Sequence, residues 1–308
     1  MANSFLEASA RERVQAVCDA GSFQEILKPS DRISSPHMAL LEQPVAFDDG
    51  VVIGRATLGG APVLVAAQEG EFLGGAIGEV HGAKITALIA KAVKEKPRAV
   101  LLIFESGGVR LHEANAGLIA VSEIMRAVCA ARAQGIQFIG LIGGAAGCFG
   151  GTGLIARCCD VLIMSEEGRL AMSGPEVIET VYGVEEFDSR DRALVWRVSG
   201  GKHRYVMGDI QALVADEVDA FRNAALAALD SGKVSFDLEN LEAEHAMLTQ
   251  RLEHFGDCRD AKEIWQRLGL PSAEELALMP ADEFVRATSV ARDVATVSYT
   301  HLTLPTKA

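Results

Sequence analysis

Three pairs of adjacent glycines stand where the chain changes direction: Gly74-Gly75 in EGEFLGGAIGEVHG, Gly107-Gly108 in FESGGVRLHEA and Gly150-Gly151 in GCFGGTGLIARCCD. The second pair follows an apolar run and the third opens one, so their backbone N–H groups can face a cavity with no Cβ in the way. Two such groups aimed at one point suit the negative oxygen of an enolate or a tetrahedral intermediate. Gly107, Gly108, Gly150 and Gly151 are therefore the expected catalytic donors, with Gly74 and Gly75 against the substrate. Any one pair would be accounted for by a tight turn; the ordered set of three points to chemistry. The set is not a nucleotide fingerprint, because Gly147-Cys148-Phe149-Gly150 lacks the G-x-G-x-x-G spacing and no Walker lysine follows.

Side chains beside the turns add second-tier candidates for substrate binding. Arg110 could fork onto a substrate carboxylate, or pair with nearby Glu105 and Glu113 as a structural ion pair. His112 could protonate a carbanion, since imidazole titrates near neutrality, or serve as a hydrogen-bonding spacer. His81 and His203 are weaker candidates, and Glu176 and Glu179 fit the acidic start of a helix. Cys148 has no evident His partner, which argues against a covalent thiol. Lys84, Arg110, Lys202 and Arg204 are the basic residues that could form a patch for a phosphorylated carrier on an otherwise acidic chain.

These turns need rigid elements to hold them. Val51–Gly54 and Val63–Ala67 read as two strands around the turn Gly59-Gly60-Ala61-Pro62. Gly82–Lys96 has helical periodicity, with Ile85, Leu88, Ile89 and Ala92 on one side and Lys84, Lys91, Lys94 and Glu95 on the other, and Pro97 stops it. Ala99–Phe104, a helix over Ala114–Gln134, and Phe138–Ile142 then alternate as a parallel crossover requires. A helix over Gly150–Cys159, a strand over Asp160–Met164 and helices from Glu217 to Arg267 complete an α/β core. The expected division is an N-terminal helical arm over 1–44, a catalytic domain over 45–280, and a C-terminal helix with a tail over 281–308, whose last part, Val297–Ala308, has a foreign composition.

Composition narrows the function class. Of 308 residues 49% are hydrophobic and 6% aromatic, which fits a core of Val, Ile, Leu and Ala. A formal charge of −13 with no basic block argues against nucleic acid and anionic membranes. No apolar run is long enough to span a bilayer, and Met1–Asp19 carries charge where a signal peptide is apolar, so a cytoplasmic protein is expected. The six cysteines lack metal-ligand spacing, so no metal is expected and the thiols should be reduced.

From about Ala10 to Ala220 the sequence resembles the carboxyltransferase family of the crotonase/ClpP superfamily. FLGGAIG and SGGVR resemble that family's glycine-rich signatures, and GGTGLIARCCDVLIM with MSGPEVIE is similar to its helix, strand and glycine-proline turn. The zinc-binding cysteine quartet of acetyl-CoA carboxylase beta subunits is absent, and His112 stands where those subunits usually have Gln; the sequence is more similar to biotin-independent malonate decarboxylase beta subunits. The resemblance implies a crotonase-like spiral of β-β-α units with peripheral helices. It also implies a gamma partner of related fold, and an acyl-carrier subunit bearing a CoA-like prosthetic group, with no cofactor bound directly to this chain. The implied reaction is decarboxylation of a malonyl thioester to an acetyl thioester through an enolate held in an oxyanion hole; which hole takes the thioester is open. Two other readings are a biotin-dependent acyl-CoA carboxyltransferase subunit and a non-catalytic scaffold for the acyl carrier.

Overall fold

The computed structural model describes residues 4–231 and 237–296; the tail expected over Val297–Ala308 lies outside the described residues. Nine strands are present among the described residues: β1 Gln24–Ile26, β2 Val51–Leu58, β3 Ala61–Gln68, β4 Ala99–Phe104, β5 Phe138–Ile142, β6 Cys148–Phe149, β7 Val161–Ser165, β8 Leu170–Ala171 and β9 Ala212–Val214. Seven of them form one mixed sheet in the order β1-β2-β3-β4-β5-β7-β9, and β6 and β8 form a small second sheet. β1, β2 and β3 are antiparallel; from β3 onward every pairing in the large sheet is parallel. This is a crotonase-like α/β fold.

The helices are α1 Ala10–Val17, α2 Pro36–Leu40, α3 Glu79–Glu95, α4 Asn115–Arg132, α5 Gly150–Arg157, α6 Pro175–Tyr182, α7 Arg192–Ser199, α8 Gly201–Val206, α9 Val218–Asp230, α10 Leu238–Phe255, α11 Ala261–Arg267, α12 Ala273–Leu278 and α13 Ala281–Thr296. Parallel strands buried on both faces read as unbroken apolar runs, and β4, β5 and β7 are buried along their whole length. Alternate residues serve opposite layers. Val100, Leu102 and Phe104 pack with Leu88, Ile89, Ile124 and Val128 of α3 and α4, whereas Leu101 and Ile103 pack with Val14 and Val17 of α1 and Phe221 and Ala225 of α9.

Three expectations change. The arm is built into the core: β1 forms the sheet edge against β2, and α1 buries Ala10, Arg13, Val14 and Val17. Its capping box, in which the Ser9 hydroxyl and the Glu12 carboxylate each bond the other residue's amide, fixes the start of α1. Lys84, placed by periodicity on the polar face of α3, is buried and donates to the carbonyls of Asp48 (2.7 Å) and Val51 (2.6 Å). Helical spacing shows which face a residue occupies but not that a loop will fold over that face. At the other end, α10 has no buried residue at all, although the stretch containing it was expected to pack on the core.

Two imidazoles are sealed in the interior. Burial pushes His81 and His203 down from 6.5 to about 3, so both are neutral in the folded protein. The unfolded chain takes up those protons as pH falls below 6.5, so folding stability drops from there toward pH 3. Between pH 7.5 and 5.5 each imidazole should remove about 1.4 kcal/mol of stability. Urea denaturation at the two pH values checks this. In His203→Phe the drop should shrink by that amount; an unchanged drop would mean that His203 titrates normally.

Candidate active site

The site is built at the C-terminal ends of β3, β4 and β5, the edge where parallel α/β sheets place their ligand-binding loops. The loop after β4 carries Gly107-Gly108, and the loop after β5 leads through β6 to Gly150-Gly151. The first turn lies in the segment between β3 and α3. The fold brings all three together: the Gly107 amide donates to the Gly74 carbonyl at 2.9 Å. A Cβ on Gly150 would lie 3.6 Å from the Gly108 Cα.

Ser106 is the hub of this arrangement and carried no signal in the sequence beyond its place before the glycines. Its amide donates to the Gly147 carbonyl (2.7 Å), and its carbonyl accepts from Phe149 (3.0 Å). Its hydroxyl, fully buried, accepts from the Gly108 amide (3.0 Å) and the Thr152 hydroxyl (2.9 Å). The β4 and β5 loops are thereby locked in register. Behind Ser106 sits Glu105, whose carboxylate pairs with the buried Arg13 and accepts from the Ala146 amide at 3.1 Å.

The four expected donors separate once their partners are traced. The amides of Gly107, Gly108 and Gly150 are bonded within the chain, to the Gly74 carbonyl, the Ser106 hydroxyl and the Met172 carbonyl (3.0 Å) respectively. The Gly151 amide makes no hydrogen bond to a loop residue or to a side chain among the described residues. It lies in the first turn of α5, where amides have no intrahelical acceptor, and the N-cap Phe149 offers no side-chain cap. An amide there adds the positive end of the helix dipole to its own N–H.

Arg110 is 1% exposed, and its guanidinium is held by both carboxylate oxygens of Asp49 (3.1 and 3.0 Å) and by the Asp49 carbonyl (3.2 Å). The ion pair expected with Glu105 and Glu113 is made with Asp49 instead, Glu113 lying at 3.7 Å and Glu105 pairing with Arg13, and it ties the loop before β2 to the SGG-x-R turn. His112 is exposed in the single turn Leu111–Glu113. Burial pushes the Cys148 thiol far above its ordinary value, so it is not a thiolate nucleophile. The four basic residues that could form a patch are each committed to other partners. Besides Lys84 and Arg110, Lys202 is buried against Glu166 (2.8 Å) and Arg204 pairs with Asp209 (3.1 Å). Among the described residues no cluster of His, Cys, Asp and Glu could hold a metal, and no helix is long and apolar enough to cross a membrane.

Residues 7–228 match the carboxyl transferase domain. The chain belongs to the carboxyl transferase family. It is an enzyme of carboxyl-transfer or decarboxylation chemistry. It is 42% identical over 301 residues to the malonyl-S-ACP:biotin-protein carboxyltransferase of Malonomonas rubra, covering 92% of this chain and 94% of that one. A chain of the Pseudomonas malonate decarboxylase hetero-tetramer, in complex with malonate, superposes with a TM-score of 0.73 at 36% identity, over 92% of this chain and 96% of that one. The acetyl-coenzyme A carboxylase carboxyl transferase subunit beta of Fusobacterium nucleatum is 31% identical over 58% of this chain and 60% of its own length.

The glycines of the first turn differ in what they tolerate. Gly74 and Gly75 both have left-handed backbone, with φ of +64° and +66°. A methyl on Gly74 meets nothing within 4 Å, whereas one on Gly75 falls onto the Glu105 carbonyl. Gly74→Ala should cost only the left-handed penalty, about 1–2 kcal/mol. Gly75→Ala should cost several times more and lower the melting temperature accordingly. Equal melting temperatures for the two variants would refute the close approach of this turn to β4.

Proposed function

We propose that this chain decarboxylates a malonyl thioester presented on the CoA-like prosthetic group of an acyl-carrier subunit, using the Gly151 amide at the start of α5 as oxyanion donor. The bond between the carboxylate and Cα breaks, CO₂ leaves with the carboxylate carbon, and the electron pair moves through Cα to the thioester oxygen. The resulting enolate takes up a proton at Cα to give the acetyl thioester. Only a group that meets charge developing on that oxygen accelerates the step. The observation carrying this reading is the position of the Gly151 amide, in the first turn of α5 where the helix supplies no acceptor, beside Gly107, Gly108 and Gly150. The glycines at the other two turns act by leaving room: Gly74 and Gly107 are exposed at the mouth, where a side chain would meet the thioester. In this reading Arg110 is a positioning residue that holds the SGG-x-R turn.

The site would be completed by a second subunit of related fold, the gamma subunit. Leu118 and Ile119 on α4, Leu154 on α5, Met172, and Val177, Val181 and Tyr182 on α6 are exposed apolar residues on the elements that surround the glycine turns. An apolar surface of this kind calls for a partner. The solved Pseudomonas relatives are a hetero-tetramer and a hetero-dimer. A cytoplasmic setting accords with six cysteines, none of them in a disulfide.

A second reading has its own support: the 42% identical relative is a biotin-protein carboxyltransferase. There the same enolate forms, but the carboxyl group passes to biotin on a carrier protein instead of leaving as CO₂. The fate of the carboxyl group in the assembled subunits separates the two. CO₂ release from a malonyl thioester without any biotin protein supports the first reading, and carboxybiotin formation with no release in its absence supports the second.

The donor itself is tested by deleting its proton. A Cβ on Gly151 would lie 2.8 Å from the Val121 methyls, so Val121→Ala makes room for either substitution at 151. Gly151→Pro with Val121→Ala removes the N–H at a helix position that accepts proline, and Gly151→Ala with Val121→Ala keeps it. With assembly confirmed, turnover by the proline variant should be about 10²–10³ lower than that of the alanine variant. Equal turnover would refute the assignment of Gly151.

A further inference from the structure

Helix α10 runs for 18 residues along the outside of the molecule. Its apolar residues recur at alternating three- and four-residue steps: Leu238, Leu241, Leu248, Leu252 and Phe255, with His245 filling the gap. This is a heptad seam with a positions at 238, 245 and 252 and d positions at 241, 248 and 255. The seam faces solvent, with Leu238, Leu241, Leu248 and Leu252 exposed at 69, 46, 46 and 71%. The helix is held to the body by a different face, roughly a quarter-turn away at 100° per residue. Glu244 pairs with Arg157 (3.0 Å), and Arg251 pairs with Asp209 (3.3 Å) and donates to the Met207 carbonyl.

We propose that α10 packs antiparallel against α10 of a second copy of this chain, joining two catalytic subunits through a two-fold axis near the middle of the helix. The seam is complementary to itself in that orientation. Leu238 faces Phe255 of the second copy, Leu241 faces Leu252, and His245 faces Leu248, so every a position meets a d position and the apolar layers are closed at both ends. The flanking charges agree. Glu244 and Arg251 both occupy g positions, and antiparallel helices bring g to g, placing each Glu244 beside Arg251 of the second copy. Each new pair then extends the Arg157–Glu244 and Arg251–Asp209 pairs already present. A parallel arrangement would stack His245 on His245 and set Glu244 opposite Thr249, which has no charge to offer. His245, the single polar residue of the seam, fixes the register, as isolated polar seam residues do.

The test uses the full chain and two measurements. Light scattering should give the mass of two chains for the unsubstituted protein and of one chain for Leu248→Glu, with unchanged circular dichroism. The register is tested with Glu242→Cys and Thr249→Cys, whose e positions face each other only in the antiparallel pair. A short bis-maleimide should link a mixture of the two variants above the background of the unsubstituted chain. It should not link Glu242→Cys to itself, because the two copies of residue 242 lie about 13 Å apart along the axis at 1.5 Å per residue. A one-chain mass for the unsubstituted protein, a two-chain mass that survives Leu248→Glu, or a mixture that fails to link would each overturn the proposal.

Discussion

Glu105 directly follows β4 with its carboxylate buried, and separate parts of the chain are fastened to it. Arg13, reaching from α1, supplies the opposite charge and is itself tied to the Phe5 and Leu6 carbonyls, at 2.8 and 3.0 Å. The loop after β5 is fastened through the Ala146 amide, and Gly70 and Gly144 have no side chain because the Glu105 carboxylate occupies that space. A buried carboxylate without its cation would carry a desolvation penalty of several kcal/mol, so the arm and the two site loops depend on one pair. Phe5, stacked on Phe221 at 3.8 Å, carries the same constraint into α9.

This dependence explains why the glycine turns can be so spare. Their geometry is not set by side chains within the turns, which have none. It is set by the Ser106 hydroxyl, the amide-to-carbonyl bonds between loops, and the Arg110–Asp49 pair on the far side of the SGG-x-R turn. Most amides at the site are consumed in holding it together. The first turn of α5 differs, because the start of a helix leaves amides without an intrahelical acceptor.

The surface divides along similar lines. Apolar side chains on α4, α5 and α6 are exposed, whereas the seam of α10 lies on a separate helix that buries nothing of its own. The body of the fold, α10 aside, buries its hydrophobic residues in two layers, one on each face of the sheet. Several basic residues are spent inside: Lys84 and Lys202 cap carbonyl groups, and Arg13 and Arg110 neutralise buried carboxylates.

The sequence by itself determined the α/β class, the strands β4, β5 and β7 to within a residue, the helices α3, α4 and α5, and the three turns that meet at the site. These are local matters: unbroken apolar runs, helical periodicity, and glycines at the ends of both. Tertiary structure decided which amides are free, because the Gly74 and Met172 carbonyls that occupy the Gly107 and Gly150 amides come from other segments. It also decided the fates of Lys84 and Arg110. Both were placed by local pattern near polar surroundings, and both are buried because the loop from Asp48 to Val51 folds over them. Glu105 and Arg13 are 92 residues apart. No periodicity or spacing in the chain connects them, and only the packing of α1 beneath the sheet brings the two charges together.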